Sequence, residues 1–286
     1  VLSVVLANDE LKVIICAVVK DEDQYIDEWI LYNKYLGFDF IQIYDNSFNG
    51  STKLECISKL YGDFVRVTHL PIDDVQKKAY KTCVETYQKD NYWAAFIDVD
   101  EFIVLRKHHN IKDLLRETVP SGGALSLNRI LFGHNNHDHY SSKPVLKRFI
   151  TRSKYVDHYT KTISHLPDVT FQNIHFAQLV DGKKRLDCHG REMPTSSKTA
   201  YTSEDIAAIN HYFTKSYEEF KKKRKRGSAA ISALVKVYLT NNSETLLESQ
   251  FRKYNKYANE LVDLRALEFF LRKKEEMPSL VDSDSC

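Results

Sequence analysis

The chain has 286 residues, with 41 Lys and Arg against 39 Asp and Glu. The formal charge of +2 at pH 7 excludes a global field that draws in nucleic acid or an anionic membrane. A 43% hydrophobic and 28% charged composition is that of an ordinary soluble protein with material for a sizeable core.

No stretch approaches the roughly 18 apolar residues of a membrane span, and the first residues lack the basic and apolar regions of a signal peptide. Five cysteines (Cys16, Cys56, Cys83, Cys188, Cys286) form no C-x-x-C pair, and Cys16 lies inside an apolar run. Their odd number points to reduced thiols, so the expectation is a soluble, cytoplasmic chain with no membrane segment of its own.

Along the chain, Val13–Val19 is a continuous apolar run, as expected of a strand covered on both faces. Asp23–Leu36 has helical spacing, with Ile26, Ile30, Leu31 and Tyr35 on one stripe and Gly37 just past the end. Strands are expected at Phe40–Tyr44, Phe64–Val67 and Trp93–Ile97, and helices at Thr52–Leu60 and Asp74–Tyr87. That alternation implies an α/β fold with a parallel, doubly wound sheet.

After Phe102 the rhythm changes. A helix is expected at Ile111–Thr118, and strands at Ala124–Phe132, Val145–Ile150 and Val169–Phe176. Residues 151–190 are otherwise polar, His-rich and irregular. Four helices follow, at Tyr217–Arg226, Ala229–Leu239, Ser243–Tyr254 and Tyr257–Lys274, with a frayed tail from Pro278. With no repeats and no clean linker, the chain reads as one domain with a helical C-terminal extension.

The chemistry concentrates at the strand ends. Trp93–Phe102 is an apolar run that ends in Asp98-x-Asp100, followed by Glu101. On a strand, residues two apart point the same way, so two carboxylates there can share a divalent cation, or divide a cation and a ribose. Read blandly, the same tripeptide is an acidic turn. The first strand runs into Lys20-Asp21-Glu22 and the second into Asp45-Asn46-Ser47, and Gln76–Tyr80 opens the helix before the fourth strand. In an open α/β sheet these strand ends surround one crevice. Neither a G-x-G-x-x-G nor a P-loop is present, so a nucleotide's diphosphate would be held by metal rather than by a glycine cradle.

Several segments in order resemble metal-dependent glycosyltransferases of the family 2 and family 92 type. They are Cys16-Ala-Val-Val-Lys20-Asp-Glu22, Tyr25-Ile-Asp-Glu28-Trp29, Leu36-Gly37-Phe38-Asp39 and Ile43-Tyr-Asp45-Asn46-Ser47, then Phe96-Ile-Asp98-Val-Asp100-Glu-Phe102. His211-Tyr-Phe-Thr-Lys215-Ser-Tyr-Glu218-Glu-Phe220, with Lys223 and Arg226-Gly227, is similar to their C-terminal signature. The resemblance implies a GT-A fold: a Rossmann-like, mostly parallel sheet flanked by helices over residues 1–227, with a helical extension over 228–286 packed on it. It implies a nucleotide-sugar donor (UDP favoured, with galactose as the sugar), a glycan or glycoconjugate acceptor, Mn²⁺ or Mg²⁺, and inversion at the anomeric carbon.

The resemblance also implies roles. Ala17, Lys20 and Glu22 would lie by the nucleoside, Asp45 by the base edge and Gln76 by the donor. Asp98 would face ribose or metal, and Asp100 would be the principal metal ligand. A further metal ligand would be His175 or, second, His211, which could instead meet the diphosphate with Lys215. Inversion needs a general base, for which Asp138 in Phe132-Gly-His-Asn-Asn-His-Asp138 is the candidate, with Asp168, Asp187 and Glu192 as alternatives. The loop's His134, His137 and His139 have a spacing that could also suit zinc, although they read first as a solvated polar loop.

Lys221–Arg226 is a run of six basic residues, read here as a mostly solvated helix from which Lys223 or Arg226 reaches a phosphate. Two rival readings remain: a metal-dependent nucleotidyltransferase, which also uses Asp-x-Asp, and a nucleic-acid-binding module built on residues 221–226.

Overall fold

The computed structural model describes residues 11–227 and 244–278; the helix expected at Ala229–Leu239 and the tail beyond Pro278 lie outside them. The first four strands, β1 (Lys12–Val19), β2 (Phe40–Asp45), β3 (Val65–His69) and β4 (Tyr92–Ala95), pair in parallel in the order β3-β2-β1-β4. They alternate with helices α1 (Ile26–Leu36), α2 (Thr52–Tyr61) and α3 (Val75–Tyr87). β1 shows why its run is unbroken. Val13, Ile15, Ala17 and Val19 face the core under α1 and α2, while Ile14, Cys16 and Val18 face the core under α3. Both faces of the strand are dry, so period-two alternation would leave a polar residue in one core or the other. α1 stops where Gly37 takes a left-handed φ of 94°, and its amide returns to the last turn.

Beyond β4 the sheet becomes mixed. β5 (Glu101–Leu105), β6 (Ala124–Leu131), β8 (Thr160–His165) and β12 (Ala207–His211) extend it in the order β4-β8-β6-β12-β5. β8 is antiparallel to both β4 and β6, whereas β12 is parallel to β6 and antiparallel to β5. The α/β architecture is therefore as expected, with a parallel half and a mixed half. The helix Ile111–Thr118, α4, has the expected bounds, as does α6 (Tyr217–Arg226), which opens on a Ser216–Glu219 capping box.

The last described segment lies close against the domain. Phe251, on the helix Glu244–Asn255, meets Tyr217 and Phe220 of α6, and Phe270, on the helix Arg265–Glu276, meets Tyr32 and Tyr35 of α1. A Cβ on Gly133 would come within 2.5 Å of the Ala258 carbonyl, so only glycine allows that approach.

Four expectations need correction. Val145–Ile150 is not a strand: Val145–Arg148 is a short helix, α5, because the Glu28 carboxylate accepts the amides of Val145 (2.7 Å) and Leu146 (3.1 Å). The strand expected over Val169–Phe176 is a pair, β9 (Val169–Gln172) and β10 (Ala177–Leu179), joined by a turn through Asn173. Tyr257–Lys274 is not one helix, since β13 (Leu261–Val262) precedes the helix that starts at Arg265. The thiols are not all reduced either. Cys16 and Cys83 form a disulfide joining β1 to α3, while Cys188 is free. Among the described residues no helix is long and apolar enough to cross a membrane.

Candidate functional site

The strand carrying the Asp-x-Asp ends at Ala95, so Asp98 and Asp100 lie in the turn before β5, closed by the Glu101 amide donating to the Asp98 carbonyl at 2.9 Å. The two carboxylates consequently face different partners instead of pointing alike along a strand. Asp98 Oδ2 accepts from Lys161 Nζ at 2.8 Å, and Oδ1 accepts from Gln76 Nε2 at 3.1 Å. Lys161 also reaches Glu101 Oε2 at 3.1 Å and is wholly buried. Burial would lower its pKa, but Asp98 and Glu101 raise it well above the ordinary lysine value, so it stays charged.

Asp100 is buried and turns the other way. Its Oδ2 pairs with Lys223 Nζ of α6 and lies 3.7 Å from His211 Nε2, at the end of β12. The register that pairs His211 with Glu101, together with the Tyr212 amide donating to the Asp100 carbonyl at 2.8 Å, fixes that juxtaposition. Burial alone would raise the Asp100 carboxyl, but Lys223 and His211 override it and hold it well below the usual carboxylate range. Among the described residues, Nδ1 of His211 is buried with no hydrogen-bond partner, while its Nε2 is the nitrogen that faces Asp100.

Beside this pair opens a cavity of about 240 Å³ between the β1–α1 loop and α6. Glu22, Tyr25, Lys215, Lys222, Lys223 and Arg226 are among its lining. Lys215 is buried in a left-handed conformation, with its ammonium 4.1 Å from the centre of the Tyr25 ring. Burial lowers its pKa, against the pull of Glu22 and Asp100. Arg226 donates to the Glu22 carboxylate and to the carbonyls of Lys20 and Asp21 (3.0 Å), so α6 fastens the loop that leaves β1. The basic run is thus only partly solvated, with Lys222 and Lys225 exposed. Lys223 and Arg226 turn inward, Lys221 meets Glu244, and the Arg224 guanidinium lies against Phe213, Phe220 and Tyr254.

Other candidates fall elsewhere. Ala17 is fully buried in the sheet core, opposite Ile43, with no exposed atom to offer a ligand. Asp45 uses both carboxylate oxygens on its own loop, accepting from the amides of Ser47 (2.9 Å) and Ser51 (2.7 Å). His175 Nδ1 lies 3.0 Å from the Thr160 carbonyl, and burial lowers its pKa to about 4; Asp100 has His211 beside it instead.

Asp138 is exposed on the loop at the start of α6, where its carbonyl accepts the Glu218 amide at 3.0 Å. Asp168 is tied to the Gly123 amide and His165, Asp187 to Arg191, and Glu192 to Lys184. The three loop histidines separate, with His134 against Phe251, His137 against Phe149 and His139 near Glu218. Among the described residues no group of three or more His, Cys, Asp or Glu is arranged to hold a metal. Lys161 and Glu219 escaped the sequence reading. The Ser216-x-x-Glu219 capping pattern was the signal for the second, and nothing local marks the first.

Among solved structures, Staphylococcus aureus TarS residues 1–349 in complex with UDP is similar at a TM-score of 0.39 and 12% identity, over 85% of this chain and 70% of that one. A glycosyltransferase family 92 protein of Ricinus communis is 23% identical over 215 residues, 73% of this chain. One of Oryza sativa subsp. japonica is 22% identical over 217 residues, also 73% of this chain. The chain spans 36% and 34% of the length of those two relatives. The profile of glycosyltransferase family 92 matches residues 11–249, most of the chain, and the chain belongs to that family.

Proposed function

We propose that this chain transfers a hexose, galactose in the first instance, from a UDP-sugar to a glycan hydroxyl with inversion, using Mn²⁺ or Mg²⁺. The observation that carries the reading is the Asp100–His211 pair beside a lysine-lined cavity at the strand ends. A carboxylate and an imidazole suit a hard-to-borderline divalent ion, and His211 turns its Nε2 to the Asp100 carboxylate at 3.7 Å. Two protein donors are enough for a cation that takes its remaining ligands from phosphate oxygens and water. Asp98, held by Lys161 and Gln76, is the less suited ligand and keeps the turn in place instead.

When bound, the cation neutralises charge on the departing nucleoside diphosphate. The chain's own residues do the rest. Lys215 and Lys222 give the cavity the positive charge a diphosphate requires. Arg226 holds the β1–α1 loop against α6, so the nucleoside end of the donor meets a fixed wall. Asp138, exposed at the start of α6, is the candidate base for the acceptor hydroxyl.

A panel of UDP-sugars incubated with Mn²⁺ and followed by UDP release tests this. One sugar donor should turn over, and Asp100→Asn should cut the rate by at least about a hundredfold, because even outer partners of metal ligands cost ~10–100-fold. Release of pyrophosphate from a nucleoside triphosphate would point to nucleotidyl transfer instead.

A further inference from the structure

We propose that Lys223 is a resident counter-cation that competes with the divalent ion for Asp100, leaving the carboxylate for the donor diphosphate when metal and nucleotide bind together. The inference rests on the reading of Asp100 and His211 as the cation's protein donors. Its basis is that one oxygen serves two neighbours: Asp100 Oδ2 is the atom paired with Lys223 Nζ and also the atom facing His211 Nε2. A cation held between the carboxylate and the imidazole would lie within a few ångströms of that ammonium, and two positive centres repel at such range. One of them has to leave.

The structure lets Lys223 leave. Its side chain is a quarter exposed, whereas Asp100 is 5% exposed, and it lines the cavity assigned to the diphosphate. Its ammonium also sits 4.3 Å from the centre of the Phe213 ring, on a flexible four-carbon stem. Arg226, one turn on, is fixed to Glu22 and to two backbone carbonyls and has no such freedom. Without Lys223 or a metal, Asp100 would be a buried carboxylate left with His211 and the weaker pull of Lys215, a state that a protein avoids by supplying a closer counter-charge. Lys223 therefore keeps the empty site neutral, and it withholds the metal until a diphosphate offers the ammonium a better anion. Metal and nucleotide then bind cooperatively, each raising the affinity of the other.

Titration of Mn²⁺ into the nucleotide-free protein, read by the electron paramagnetic resonance of free Mn²⁺, tests this alongside thermal melts. Wild type should bind Mn²⁺ weakly alone and about tenfold or more tighter with UDP, within the ~5–150-fold range usual for coupled sites. Lys223→Gln should bind Mn²⁺ about tenfold tighter without UDP, and UDP should then tighten it by less than it does in wild type. Its melting temperature should fall below that of wild type and be restored by Mn²⁺ alone, a rescue that a merely structural lysine would not give. Lys223→Arg, which keeps the charge, should behave more like wild type.

If Lys223→Gln binds Mn²⁺ no better than wild type while Asp100→Asn loses binding, the competition is overturned and the metal assignment stands. If Asp100→Asn binds Mn²⁺ as well as wild type, both fall.

Discussion

Lys161 Nζ lies 2.8 Å from Asp98 Oδ2, across 63 residues of sequence, and the same ammonium reaches Glu101 Oε2 at 3.1 Å. One wholly buried lysine thereby offsets part of the charge of the acidic turn at the end of β4 from the neighbouring strand β8. Removing one partner of a buried ionic cluster leaves uncompensated charge, at a cost of about 3–5 kcal/mol. Lys161→Met should lose roughly that much stability in urea unfolding. A loss within about 0.5 kcal/mol of wild type, the range of an ordinary surface substitution, would show that the cluster holds nothing in place.

Arg148 and Glu219 make a second buried pair, with two parallel bonds of 2.8 and 2.9 Å, and Tyr25 donates to the same carboxylate at 2.7 Å. Burial would raise the Glu219 carboxyl, but Arg148 and Ser216 bring it below its ordinary value of 4.5. A depressed carboxyl contributes stability above its unfolded pKa and loses it as pH falls through the folded one. Arg148→Met should cost about 3–5 kcal/mol near neutrality, and adding Glu219→Gln should recover part of that loss. Urea midpoints of the single and double variants measure it.

Glu28 carries the opposite sign. Burial pushes its carboxyl up to about 7 from 4.5, against the amides of Leu146 and Val145, which favour the ionised form. The folded state therefore binds a proton that the unfolded chain has released, so its contribution is complete below pH 4.5 and lost as pH rises toward 7. The displacement corresponds to roughly 3 kcal/mol. Unfolding free energies measured from pH 5 to 8 should decline for this reason in wild type, and Glu28→Gln should flatten the decline.

The Cys16–Cys83 disulfide closes a loop of 67 residues between β1 and α3. Loop-closure entropy assigns such a bridge about 4 kcal/mol. Cys16→Ala with Cys83→Ala should approach that loss, and a reductant should lower the melting temperature of wild type by more than that of the double variant. Equal melting of the two proteins under oxidising conditions would contradict it.

The parallel half of the fold was readable because a strand covered on both faces is mostly apolar: β4 is, β1 is after Lys12, and β2 is apart from Gln42 and the terminal Asp45. Helix ends were readable where a cap is local, as at Gly37 and Ser216. What escaped depends on partners distant in sequence. α5 looks like a strand in isolation and folds as a helix because Glu28, 117 residues earlier, accepts its first amide. Asp98 and Asp100 were visible, but their divergence was not, since it is set by Lys161 on β8 and Lys223 on α6. The basic run Lys221–Arg226 looks solvated until α6 is seen to lie over the strand ends, where Asp100 and Glu22 receive two of its cations. Cysteine counting failed because parity says nothing about which side chains the sheet and α3 bring together.

In the proposed reaction Asp100 would hold a divalent cation that in turn holds a nucleotide diphosphate. Calorimetric titration of UDP into wild type and Asp100→Asn, each with Mn²⁺ and with EDTA, tests it most directly. Binding should be tight only for wild type with Mn²⁺ and weakened by about a hundredfold in each of the other three combinations. Equal UDP affinity in all four would contradict it.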